Sequence, residues 1–322
     1  MRPPDRERGA ALLTVLLLVA VIAVMAATAL ERLRLSTRLT ANAVALDGAR
    51  GYAYAAETLA TTRVTALLRQ ATDRVTLDGG WSGRPFGLPI PGGTAVARVV
   101  DGGNCLNLNA LVARNPDGTS IANPLAVAQF ARLLRLLRVP GAENIAAATA
   151  DWIDSDDVAL PGGAEDESYR GYRTAGTAMA DPSELRAVRG VTAEAYRAIR
   201  PWVCTLPTAD RSVININTLL PEQAVLLAML LPDAAGTAQA EALIRRRPPG
   251  GYGSVDPFWN QLSLAGGGTP AMDARAQTGV TSRWFALAVD VTSGDAELHE
   301  QALIDARSLP VRVVSRQWGD AP

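Results

Sequence analysis

The sequence predicts an α+β fold in which one long N-terminal helix lies on a small antiparallel sheet, and a large all-α domain is inserted between two strands of that sheet. Three observations predict it. A charge-free apolar run near the N-terminus continues into an amphipathic stripe with no proline to stop it. Strand-like alternation is confined to the stretch before about residue 101 and the stretch after about residue 280. The patterns between those two stretches are helical. The boundaries that follow are 1–9 for a leader, 10–30 for a membrane segment, 31–105 for the rest of the helix and the first strands, 106–279 for the insertion, and 280–322 for the last strands.

The run Ala10–Leu30 holds no charge, Pro or Gly over 21 residues. As a helix it is about 31 Å long, enough to cross the hydrocarbon of a bilayer. Arg2, Arg6 and Arg8 precede it, and Glu31, Arg32 and Arg34 follow. With so short a tail before the span, the tail stays in the cytoplasm and the bulk of the chain is sent out. The run is too long for an ordinary cleaved signal peptide, whose apolar region covers roughly 7 to 15 residues. A plain signal anchor fits. So does a third reading, carried by Arg8-Gly9-Ala10: a glycine at the last hydrophilic position before an unbroken apolar stretch resembles the prepilin signal. That resemblance implies cleavage after Gly9 and methylation of Ala10 by a prepilin peptidase, with the apolar segment kept as the mature N-terminus.

Past the membrane, Leu39, Ala43, Leu46, Ala53, Ala56, Ala60, Val64 and Leu67 fall at helical spacing on one face. Residues 71–93, rich in Gly, Pro and Thr, read as loop and edge. Thr94–Val100 alternates and runs into Asp101-Gly102-Gly103, a strand with its turn. Helical patterns cover Leu125–Val139, Ile145–Ile153, Pro182–Val188, Ala193–Ile199 and Pro221–Leu230; Asp181-Pro182-Ser183-Glu184 and Thr218 to Glu222 carry helix-start chemistry. Strands return at Trp284–Val291, Leu298–Asp305 and Val311–Val314.

Cys105-Leu-Asn107-Leu-Asn109 and Val213-Ile-Asn215-Ile-Asn217 form a weak internal repeat, each just ahead of a helical region. Asn at alternate positions caps helices and satisfies turn backbone. Together with an Asp-Trp-Ile-Asp stretch between them and the insertion layout, the two Asn-x-Asn signatures resemble the protein K family of type II secretion minor pseudopilins, over nearly all of residues 6–315. In pilins and pseudopilins the fifth mature residue is usually Glu, whereas here it is Thr14, and the K type characteristically lacks that Glu. A carboxylate in lipid is costly unless paired, so a subunit without one suits a tip position. The resemblance implies a pilin-like fold, a single-pass inner-membrane protein with its bulk in the periplasm, and a tip complex with the I- and J-type minor pseudopilins, with H below. Its role would be to nucleate and cap a pseudopilus that exports folded proteins across the outer membrane. A minor type IV pilin is the nearest alternative.

A rival of another class comes from Ile214 to Thr218, Ala240 to Arg247 and Gly253-Ser254, which are similar to the helix-hairpin-helix module of membrane-anchored DNA receptors. Such hairpins present glycine backbone to phosphate. The expected turn, Leu231 to Gly236, holds an Asp and no Gly-x-Gly, and only Arg245 to Arg247 supply charge. With 31 basic residues, all arginine, against 32 acidic ones, the chain also lacks the charge of a nucleic-acid binder. The expectation is no nucleic acid.

The densest polar stretch runs from Asp151 to Tyr169. A solvated acidic loop is one reading; a site for a hard, oxygen-seeking cation is the other, though the spacing is not an EF-hand. Resemblance favours structural calcium, since the family's inserted domain binds it through a matching acidic stretch. The candidate ligands are Asp151, Asp154, Asp156, Glu165 and Asp166. Cys105 and Cys204 are the only cysteines. In an oxidising compartment they form a disulfide or remain two buried thiols; export favours the bridge. The single histidine, His299, has no nucleophile-elbow motif to serve, and no enzyme is expected.

Overall fold

A computed structural model describes residues 5–71, 73–231, 236–264, 272–294 and 296–319, with side chains from residue 10 on. Helix α1, Asp5–Gln70, is one continuous rod of 66 residues, about 100 Å long. Its apolar N-terminal part is uncovered by protein, and it is the one helix among the described residues long and apolar enough to cross a membrane. The helix first meets the head at Ala49. Ala49, Ala53, Ala56 and Ala60 are fully buried and Val64 nearly so, whereas Leu39, Ala43 and Leu46, on the same predicted stripe, remain exposed. Alanine on the buried face lets the helix axis approach the sheet closely.

That sheet is antiparallel throughout, in the order β1 (Phe86–Ile90), β2 (Gly93–Asp101), β3 (Trp284–Ser293), β4 (Ala296–Asp305), β5 (Arg312–Trp318). Its helix-facing side supplies Ala95, Ala97, Val99, Phe285, Leu287, Val289, Val291 and Ile304 to one core with α1. Small residues on β2 and large ones on β3 share this core with the alanine ridge of α1. Strand β1 lies in the stretch read as loop and edge, and is an edge strand.

Between β2 and β3 the chain builds a second, larger core. It consists of two units with one plan. In the first, Leu106–Asn107 pairs in parallel with Val203–Cys204, enclosing α2 (Pro124–Leu136), α3 (Ala142–Ile153) and α4 (Ala193–Ile199). In the second, Ile214–Asn215 pairs in parallel with Thr278–Gly279, enclosing α5 (Ala224–Ala228), α6 (Thr237–Arg245), α7 (Asp256–Leu264) and α8 (Met272–Ala276). The helix-start signals act as their chemistry dictates: Asn123 accepts from Ala126 N ahead of Pro124, and Asp181 with Glu184 forms a capping box. That box opens a 3-10 turn, Pro182–Ala187, rather than the α-helix expected over Pro182–Val188. The segment Pro221–Leu230 likewise divides into a 3-10 turn, Pro221–Gln223, and α5.

The Asn-x-Asn repeats explain the shared plan. In each, the first Asn accepts from the backbone N–H two residues on (Asn107 from Asn109, Asn215 from Asn217), turning the chain out of the short strand. The second Asn imitates a strand neighbour. Asn109 accepts from Met179 N and donates to the carbonyls of Met179 and Leu206; Asn217 accepts from Tyr252 N at 2.7 Å and donates to Tyr252 O at 2.9 Å. Asn217 is 1% exposed. Asn217→Ala is therefore expected to strand two buried backbone groups of Tyr252 and cost about 2–4 kcal/mol, while Asn115→Ala, on an exposed turn, costs under about 0.5. Urea unfolding of the two variants checks the difference.

The second unit is fastened to the membrane-distal end of α1. Val75 N, just past that end, donates to Val280 O at 2.7 Å, and Asn215 Nδ2 donates to Val75 O at 3.0 Å. Asp101, at the end of β2, accepts from Thr218 Oγ1, Ser282 Oγ and Gly103 N, joining sheet and insertion; burial pushes its carboxyl up despite those bonds.

Candidate functional site

The last turn of α3 carries Asp151, and Asp154 caps its end. Trp152 between them packs edge-on against Tyr169 and Tyr172, which holds the following loop against the helix. That loop folds back so that Leu160 N and Ala164 N donate to the Asp151 carboxylate. Gly163 is required at the closest approach, because a Cβ there would overlap Asp151 Oδ2. The return brings in Glu165.

Asp151, Asp154 and Glu165 are each buried, and one oxygen from each lies within 4.8 Å of the others. Oδ1 of Asp154 and both carboxylate oxygens of Glu165 have no hydrogen-bond partner. Three carboxylates gathered away from water, two of them with unpaired oxygens, repel one another. Burial first, then the neighbouring acids, push Asp154 up to about 7 and Glu165 up to about 7; Asp151 is raised too, by burial, against the two N–H donors that favour its charge. A cluster of bare oxygens aimed at one another fits a hard divalent cation such as calcium, which takes oxygen ligands only. Of the five candidate ligands the structure thus gathers three. Asp156 is exposed and accepts from Val158 N, and Asp166 accepts from Thr174 N and Oγ1; both remain close enough for Asp156 to act on Asp154 and for Asp166 to act on Glu165. The spacing of acids in sequence could not separate these roles, since the fold-back at Gly162-Gly163 decides which carboxylates point inward.

Cys105 and Cys204 are joined by a disulfide, with Cα atoms 5.8 Å apart across the parallel pair of the first unit. Two of the three arginines of the hairpin-like segment are turned to structural use. Arg247 donates to the carbonyls of Ile216 and Leu219, and Arg245 is paired with Glu241. Residues 232–235 of the expected hairpin turn lie outside the described residues. His299 stands on the exposed side of β4 and pairs across strands with Asp290, which also takes Arg98.

A helix that is at once membrane span and half of a hydrophobic core, laid on an antiparallel sheet, defines a pilin-like membrane-anchored subunit, here with a two-unit helical insertion. Family models described as "Type II secretion system (T2SS), protein K" match residues 104–208 and 214–280, one on each unit. The chain belongs to the type II secretion system protein K family. It is similar to protein K of Pectobacterium carotovorum subsp. carotovorum (35% identical over 324 residues, 98% of this chain and 97% of that one) and of Klebsiella pneumoniae (34% identical, covering 98% and 97%). Among solved structures it resembles a chain of the GspK-GspI-GspJ complex from enterotoxigenic Escherichia coli, with a TM-score of 0.73 and 34% identity, covering 85% of this chain and 97% of that one. It is a minor pseudopilin, a structural component of a secretion system, held to a membrane by its N-terminal helix.

Proposed function

We propose that this subunit sits at the tip of the pseudopilus, nucleating and closing it together with I- and J-type minor pseudopilins, with H below. The observation that carries this reading is the placement of the insertion: its second unit is bonded to the chain just past the membrane-distal end of α1, through Val75 to Val280 and Asn215. A subunit stacked above would meet that bulk. At the other end of α1, Thr14 satisfies its hydroxyl within the helix, donating to Ala11 O at 2.9 Å, and so needs no neighbour to pair it.

The anchor lies in the inner membrane with the head in the periplasm, where the Cys105–Cys204 bond is at home. The role is mechanical rather than enzymatic: the growing pseudopilus pushes folded exoproteins across the outer membrane. Calcium bound by Asp151, Asp154 and Glu165 would tie the loop 155–165 to the end of α3, a structural role. Prepilin peptidase cuts after Gly9 and Ala10 becomes the methylated N-terminus. Gly9→Leu is expected to leave the full-length mass unchanged in membranes, while the natural chain loses its first nine residues; equal masses for the two would overturn the processing step. Deleting the chain from its host should stop release of exoproteins while they still accumulate, folded, in the periplasm. Undiminished release would count against the function itself.

A further inference from the structure

Helix α1 packs chiefly on β2, β3 and β4 and covers β1 only at its margin. The helix-facing residues of β1, Phe86, Leu88 and Ile90, are consequently left half-buried. Between the helix and this edge lies an open groove of about 400 Å³, whose floor is Val64, Leu67, Trp81 and Phe86 and whose rim carries Arg63 and Arg84. The Trp81 indole N–H is bonded to Thr76 O and its ring packs against Phe285, which fixes it in the groove floor.

Two arginines give this mainly apolar groove its charge. Some exposed arginines are answered by acids, Arg50 by Asp47, Arg98 by Asp290, Arg135 by Glu143 and Arg245 by Glu241, while others, Arg170 and Arg186 among them, have no ion pair among the described residues. Arg63 and Arg84 have no carboxylate within ion-pair distance among the described residues. Arg63 instead lies flat over the Phe86 ring, 4.2 Å from its centroid. Asp78, beside the glycines of the groove wall, acts on Arg247. An aromatic floor with the Arg63 guanidinium stacked on it and Arg84 lining the same groove is a surface for a carboxylate carried on an apolar segment, since the ring holds the Arg63 guanidinium in place and arginine donors fit a carboxylate's geometry. Strand addition is the poorer use of this edge, because Pro89 removes an N–H from β1. Side chains, not backbone, make the recognition surface.

We propose that this groove docks an acidic, apolar-backed segment of a neighbouring minor pseudopilin, whose carboxylate is held by Arg63 and Arg84; the inference rests on the tip-complex reading above. The test uses the full chain in detergent with the I- and J-type subunits of the same host, and measures affinity for them by surface immobilisation at two salt concentrations. R63E/R84E is expected to bind at least tenfold more weakly and to lose most of the salt dependence, with R63A/R84A intermediate and R170E, a reversal on the insertion, unchanged. Both groove arginines are exposed and free of ion pairs among the described residues, so melting midpoints should move only by the loss of the Arg63 contact with Phe86, which both variants share; if the double reversal fails to fold, the alanine pair carries the test. Natural chain that binds while the groove variants bind within twofold of it would overturn the groove and leave the tip complex standing. Natural chain that does not bind either subunit would overturn the tip complex, and the groove with it.

Discussion

Replacing Cys105 and Cys204 together by alanine is expected to lower the unfolding free energy by about 4 kcal/mol, the largest loss from any single covalent change in the head. The bond closes a loop of 99 residues, essentially the whole first unit of the insertion, and the chain-entropy argument gives roughly 4.7 kcal/mol for a loop of that size, with measured losses of about 2–5. The local structure adds a reason. The bond sits beside a parallel pair only two residues long, Leu106–Asn107 with Val203–Cys204, which has little ladder of its own to hold the two ends of the unit together. Without the bond, Asn107 must hold them by its side chain, through Leu206 N, Thr208 O and Asp210 O. Denaturant unfolding of oxidised and double-alanine protein checks the figure, and coincident midpoints would show that the bond contributes nothing. The second unit, which has the same plan and no bridge, should unfold with unaltered cooperativity.

Lowering the pH from 8 to 5 in the presence of chelator is expected to stabilise the protein, and calcium is expected to reverse that trend. The sign follows from the carboxyls of Asp154 and Glu165, held near 7 in the folded state against ordinary values near 4. A folded value raised in this way is a penalty that is absent below about pH 4, grows as pH rises, and is complete above about pH 7. For one buried carboxyl it amounts to about 4 kcal/mol at neutral pH and above, and the two do not simply add because each repels the other. A divalent cation needs the same groups ionised. Calcium should therefore give its largest rise in melting temperature near pH 8 and almost none near pH 4.5. Asp154→Asn and Glu165→Gln are expected to stabilise the chelated protein at pH 8 and to abolish the calcium response. A melting temperature unmoved by calcium or chelator at pH 8 would reduce the cluster to a strained acidic turn.

Periodicity carried the parts of the fold that repeat. The stripe from Leu39 to Leu67 was legible as one helix face, and Trp284–Val291 and Leu298–Asp305 as strands, because each pattern runs long enough for its period to show. What the stripe could not show was where the sheet begins to cover it, since Leu39 and Ala53 look alike in sequence while only the second meets the head. The short parallel strands, two residues each, fall below the length at which alternation is visible. Helices α7 and α8 were missed for a similar reason: α7 is fixed by burial of Phe258, Trp259 and Leu262 rather than by an extended apolar face. At the acidic site the residue types were legible and the grouping was not. Which of five carboxylates turn inward depends on Gly163, where backbone passes against Asp151, and on the Trp152–Tyr169 contact that pins the returning loop. Asn107, Asn109, Asn215 and Asn217 showed themselves as turn-forming residues, but the long-range half of their work, bonding to Leu206, Met179, Val75 and Tyr252, becomes visible only once distant segments are brought together.

Membership of the tip complex is tested most directly by purifying the processed full-length chain, mixing it in detergent with the I- and J-type minor pseudopilins of its host, and weighing the products by light scattering after size exclusion. A single species with one copy of each subunit is expected. An intact I–J pair eluting beside unassociated chain would contradict a place at the tip.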